Sequence, residues 1–135
     1  EKTRENPVFY VQYSYARISS LFRKLDIDIN KVFKINESDF QLNSHELNLF
    51  RKILDWPKVV ETASVKLEPH RIPFYLYELA THFHSYWSKG NEDPNYKFIV
   101  NEKIRNQNTL LIIKLVSITI ENGMEILGVD LPTKM

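Results

Sequence analysis

The sequence predicts an all-α bundle of about five helices, folded as one domain over residues 1–135. Apolar residues recur at three- and four-residue steps over several long stretches, which is the period of a helix with one buried face. Proline, asparagine and glycine fall between those stretches, where helices start and stop. No convincing strand pair stands out, and 135 residues that are 43% hydrophobic suffice for one sizeable core without room for a second large domain.

Each element has its own justification. Pro7 sits where a first helical turn tolerates a missing N–H, and Val11, Ile18, Leu21, Phe22 and Leu25 follow at helical spacing. A helix of about four to five turns results. The stretch DIDINKVFKINESDFQLN mixes turn formers with isolated apolar residues, so it reads as a loop with room for one short helical turn. Asn43 followed by Glu46 resembles a capping box and opens a helix through Leu47, Phe50, Ile53 and Leu54 that stops near Trp56-Pro57. Pro57 then begins another helix, with Val59, Val60, Ala63 and Leu67 on its inner face, broken at Glu68-Pro69.

A long helix follows, with Leu76, Leu79, Ala80, Phe83 and Trp87 in step; Pro73 would cost about 3 kcal/mol in its interior, so the helix begins close to that residue. GNEDPNYK is a loop by composition. The Ile, Val and Thr content of NTLLIIKLVSITIEN suits a strand, but an unbroken length from about Asn101 to Asn122 decides for a buried helix. Asn122-Gly123 ends or distorts it, with another turn or two before Gly128 and a tail.

Composition excludes several kinds of chemistry. The chain has no cysteine, hence no disulfide, thiolate metal site or cysteine nucleophile, which suits a reducing cytosol. No apolar run approaches the roughly 20 residues that span a bilayer, and Glu1-Lys2-Thr3-Arg4 is not followed by a signal-peptide core. We therefore expect no membrane role. Beginning at Glu1, the sequence reads as a processed protein or a domain cut from a longer one. Gly90, Gly123 and Gly128 are the only glycines and read as helix ends, so no phosphate-binding loop is encoded. His82 and His84, two residues apart, point about 200° from each other on a helix and cannot share a metal from it. The pairs Glu37/Asp39 and Glu92/Asp93 read as solvated loop charges, and no metal or cofactor site is expected.

Lys and Arg number 18 against 17 Asp and Glu, so overall charge is silent and only a local patch could attract nucleic acid. Tyr10, Tyr13 and Arg17 fall at steps of three and four on one helical face, where rings and a guanidinium can stand side by side. Such a face stacks unpaired bases and meets phosphates, yet aromatic stripes are also ordinary core filler. Trp87, beside Tyr86, raises the same choice, and pattern alone leaves it open.

NPVFYVQYSYARISSLFRK resembles the opening of the DALR-type anticodon-binding domain of arginyl-tRNA synthetases. WPKVVETASVKLEPHRIPFYLYELATHFHSYWSK, a long last helix and a final NGMEILGVDLPTKM match in the same order, covering nearly the whole chain. The HIGH-like and KMSKS-like motifs of the catalytic part of such enzymes do not occur, so the resemblance implies an excised, inactive domain. It implies an all-α bundle that docks on the anticodon loop of arginine tRNA in the cytoplasm, while a catalytic domain of the same polypeptide activates arginine with ATP. By the same resemblance Tyr13 and Arg17 face the loop, Trp87 stands where the family has an aromatic near its bases, Asn91 is a variable contact one turn on, and Met135 lies beside the same site. Two departures are Tyr15, where the family commonly has histidine, and SKGNEDPNY, in which Gly90 and the acidic pair should end the helix before Asn91. The alternatives are a helical protein-interaction bundle without a nucleic-acid role, and a DALR-type domain of another synthetase.

Overall fold

A computed structural model describes residues 6–31 and 41–135. Among the described residues five α-helices form the bundle: α1 (Pro7–Leu25), α2 (Ser44–Leu54), α3 (Trp56–Val65), α4 (Arg71–Glu92) and α5 (Gln107–Leu127). Between α4 and α5 lie a 3-10 turn (Pro94–Tyr96) and a small antiparallel hairpin of β1 (Ile99–Val100) and β2 (Lys103–Ile104). The expected short helical turn in the loop after α1, the carboxylates Glu37 and Asp39, and the start Glu1 to Arg4 lie outside the described residues.

Local signals set the early helices. The Asn6 side chain accepts the Phe9 N–H at 3.1 Å and starts α1 ahead of Pro7. Asp26, at φ 54°, ends it in the left-handed region that a short polar side chain tolerates. The capping box at α2 closes both ways: Glu46 N–H donates to Asn43 Oδ1 at 2.8 Å, and Asn43 N–H donates to Glu46 Oε1 at 3.0 Å. This helix buries Leu49 and Glu46, and leaves Leu54 exposed. In α3 Ala63 is buried while Val59 and Val60 are half-buried. Leu67 departs from the expected inner face: it lies beyond the helix at φ 53°, 85% exposed, because Glu68 N–H turns back to the Ala63 carbonyl.

Helix α4 is the centre, packing against α1, α2, α3 and α5. Pro73 lies in its first turn, where N–H groups have no intrahelical partner to lose. Leu76, Leu79, Ala80 and Phe83 are fully buried, and each large one contributes about 1.5–3 kcal/mol. Contrary to expectation α4 does not stop at Gly90 but runs through Asn91 to Glu92. Gly90 is there for close approach: a Cβ on it would meet the Tyr96 carbonyl at 3.0 Å.

The region from Asn101 to Asn106 also corrects the sequence reading. It is hairpin rather than helix, with Asn101 and Glu102 both at positive φ in a two-residue turn. Helix α5 starts only at Gln107, after Asn106 accepts the Asn108 N–H. It passes through Gly123, whose missing side chain admits Leu76 (a Cβ would lie 2.7 Å from Leu76 Cδ1), and ends at Gly128, φ 69°. Among the described residues no helix is long and apolar enough to cross a membrane, and no group of three or more His, Asp or Glu could hold a metal ion.

Candidate nucleic-acid interface

One face of α1 presents Tyr13, Arg17, Ser20 and Lys24 at helical steps, and α4 presents Trp87 opposite them. The Arg17 guanidinium stands between two rings, with Cζ 4.9 Å from the Tyr13 centroid and 4.6 Å from that of Trp87. Its Nη2 also donates to the Tyr13 hydroxyl at 2.6 Å, which fixes the plane. Behind this slot Tyr13 stacks on His84 at 5.6 Å, and His84 lies against Tyr10 at 4.8 Å. Ser14 uses its hydroxyl proton on the Tyr10 carbonyl, so at 2.9 Å it accepts from His84 Nε2–H and orients that ring. Tyr10 is therefore part of the wall behind Tyr13 and does not line the cleft.

Trp87 is half-buried and braced edge-on by Phe98 at 5.4 Å. Phe98 in turn meets the Tyr86 ring at 4.6 Å, and Tyr86 belongs to a buried polar network. The Tyr86 hydroxyl donates to Glu46 Oε2 at 3.0 Å and accepts from Asn43 and Arg105 at 3.1 and 2.8 Å. Thr109 donates to the same Glu46 oxygen and accepts from Arg105. Arg105 further donates to the Lys97 carbonyl at 2.8 Å, tying the hairpin segment to α2, α4 and α5. Burial pushes the Tyr86 phenol up to about 12, so it stays a donor at ordinary pH.

The resulting cleft measures about 540 Å³, and Lys134 and Met135 of the tail close its far side. Val129 N–H returns to the Met124 carbonyl at 2.9 Å past Gly128, and Gln12 Nε2 holds the Asp130 carbonyl at 2.9 Å. The tail thus lies along α1 instead of leaving it. Tyr13, Arg17, Trp87 and Met135 are brought together in this way. Asn91 is not: it lines an adjoining recess of about 160 Å³ with Tyr96, Lys97 and Phe98, sharing Trp87 as a wall. Tyr15 faces α5, donating to Glu121 at 2.6 Å, and burial followed by that carboxylate pushes its phenol up to about 12.

Sequence reasoning missed Ser20, Arg23, Lys24 and Lys134 in the lining. Lys24 was detectable, two helical turns beyond Arg17. Among the described residues no Asp or Glu side chain lines the cleft. Ring faces beside uncompensated cations suit a planar π system attached to an anion, which is the chemistry of a nucleotide.

Residues 11–135 match the family model of the DALR anticodon binding domain. The chain belongs to this family. The chain is 47% identical, over 135 residues, to an arginine–tRNA ligase of Pelagibacter ubique, of which it covers 23%. It is 38% identical over 141 aligned residues to an arginine–tRNA ligase of Brucella ovis, of which it covers 24%. A crystal structure assigned as an arginyl-tRNA synthetase from Campylobacter jejuni superposes with a TM-score of 0.81 at 30% identity, over all of this chain and 28% of that one. The chain therefore spans about a quarter of the length of these curated relatives.

Proposed function

We propose that this DALR domain binds the anticodon loop of arginine tRNA as the recognition part of an arginine–tRNA ligase. Activation of arginine with ATP and its transfer to the tRNA end belong to another part of that cytoplasmic enzyme, and the DALR domain itself contributes no catalytic residue and no cofactor. The observation that carries this reading is the Arg17 guanidinium between Tyr13 and Trp87, in a cleft that no carboxylate side chain of the described residues lines. Unstacked loop bases stack on aromatic faces and guanidinium planes, and each such contact is worth about 1–3 kcal/mol. Met135 adds an apolar side to the slot, and we assign Asn91, which lines the adjoining recess, to a neighbouring part of the loop.

The base that such a slot can demand follows from the genetic code. Arginine codons all have G in the middle, so every arginine tRNA carries C at the middle anticodon position while its neighbours vary. A domain serving them all can require only that base. Cytosine offers an amino donor where uracil offers a carbonyl, and a protein acceptor facing uracil would be left buried without a donor. Exchanging C for U in an anticodon stem-loop should weaken binding by about 1–3 kcal/mol. Titrating both stem-loops at one salt concentration is the test, and equal affinities would show that the domain does not read the middle base.

A further inference from the structure

The cleft carries more charge than base stacking uses. Beyond Arg17 its lining includes Arg23, Lys24 and Lys134, all exposed. The whole chain is nearly neutral, with 18 basic and 17 acidic residues, so this is a local concentration and not a share of a general excess. Among the described residues the ion pairs are Lys52 with Glu78, Arg71 with Glu68 and Arg105 with Glu46, none of them at the cleft. Asp26 and Asp130, the acids nearest in sequence, do not line it. The ordinary account of Arg23 and Lys24 is that cations in the last turn of α1 meet the negative end of the helix dipole. That account does not reach Lys134, which arrives from the tail, nor the convergence of all three on one rim. Lys24 lies about 10 Å along the helix axis from Arg17, beyond the ring slot and outside the footprint of a single base.

Resting on the anticodon-loop reading, we propose that Arg23, Lys24 and Lys134 form a phosphate-binding rim. It holds the ribose-phosphate backbone of the single-stranded loop as the chain passes the slot of Tyr13, Arg17 and Trp87. Contacts of this kind position an RNA without reading its sequence. Each releases counterions, so each contributes to the salt dependence of binding and not to the choice between C and U.

The test is a titration of the arginine-tRNA anticodon stem-loop, in its C and U forms, over a range of salt concentrations. The proteins are the wild type, the double variant Arg23→Gln/Lys24→Gln, Lys134→Gln, and Lys58→Gln as a control on α3. All four positions are exposed, so folding is not at stake. The slope of log affinity against log salt should fall by about 0.7 for each lost phosphate contact on a single strand, hence by about 1.4 in the double variant. The ratio of C to U affinities should not change, and Lys58→Gln should match the wild type. Unchanged slopes would overturn the rim, and so would an equal fall in Lys58→Gln, which would mean that net charge alone is felt. If the slopes fall but C and U bind alike, the rim stands and base reading fails; if the wild type binds neither stem-loop, both fail.

Discussion

Two of the clefts along α4 differ in what their charges meet. The cleft toward its N-terminal half is lined by residues including Lys52, Asp55, Lys58, Phe74, Tyr75 and Glu78 and measures about 400 Å³, against about 540 Å³ for the one at Trp87. Each sets a cation on a ring: Lys52 Nζ lies 5.0 Å from the Tyr75 centroid, much as Arg17 lies on Tyr13 and Trp87. In the first, however, Glu78 takes Lys52 at 3.1 Å, Trp56 stacks on Tyr75 at 5.2 Å, and the Tyr75 hydroxyl donates to the Lys52 carbonyl. Ring and cation are both already satisfied. At Arg17 no carboxylate side chain of the described residues intervenes. Aromatic and basic content alone therefore does not mark a candidate nucleic-acid surface; charge left unbalanced beside an accessible ring is what separates the proposed site from the other cleft.

The Trp87 cleft loses its shape most completely if the support behind that ring is removed. Glu46 is 3% exposed and is the common acceptor for Tyr86, Thr109 and the Asn43 N–H, with Arg105 Nη2 at 3.8 Å. Glu46→Ala orphans those donors in the interior and should cost about 3 kcal/mol of stability, read from the denaturant midpoint. Glu78→Ala removes a pair whose carboxylate is 43% exposed and should cost under about 1 kcal/mol. Equal losses would show that the buried network is not what holds the aromatic wall.

A smaller effect separates the two clefts by function. Trp87→Ala should weaken stem-loop binding by about 1–3 kcal/mol if its face stacks on a base. Phe74→Ala, on the same helix and 66% exposed in the other cleft, should leave binding unchanged. Should the two variants bind alike while both remain folded, Trp87 is packing only.

What was legible in the sequence was what its own neighbourhood decides. Asn6-Pro7 and the Asn43/Glu46 box mark helix starts through groups three residues apart, so α1 and α2 begin where the pattern says. The all-α class follows from the same local periods. Asn101 to Asn106 is not legible as a hairpin because its turn, Asn101-Glu102, lacks the glycine that advertises one, and because Arg105 is held by Lys97 and Tyr86, 8 and 19 residues away. Gly90 looked like a terminator; its reason is the Tyr96 backbone crossing over it. Tyr13, Arg17, Trp87 and Met135 were named through a family resemblance, but their meeting depends on Gln12 pinning the tail and on Phe98 bracing Trp87. Glu46 was visible as a cap, while its buried partners Tyr86 and Thr109 stand 40 and 63 residues away.

The smallest expected effect comes from making the second cleft resemble the first in charge alone. Asp55→Asn with Glu78→Gln leaves Lys52 and Lys58 in that lining without the carboxylates that share it, while Arg71 keeps its partner Glu68. Stability should change by less than about 1 kcal/mol, because Asp55 makes no side-chain cap and the Glu78 pair is partly exposed. The added positive field should raise affinity for the C and U stem-loops by the same factor, less than about tenfold, and high salt should abolish the gain. The ratio of the two affinities should stay that of the wild type, because Tyr75 is still covered by Trp56 and offers no open face to a base. A shift in that ratio would mean that charge by itself confers base discrimination, and the distinction between the clefts would then rest on electrostatics without the ring slot.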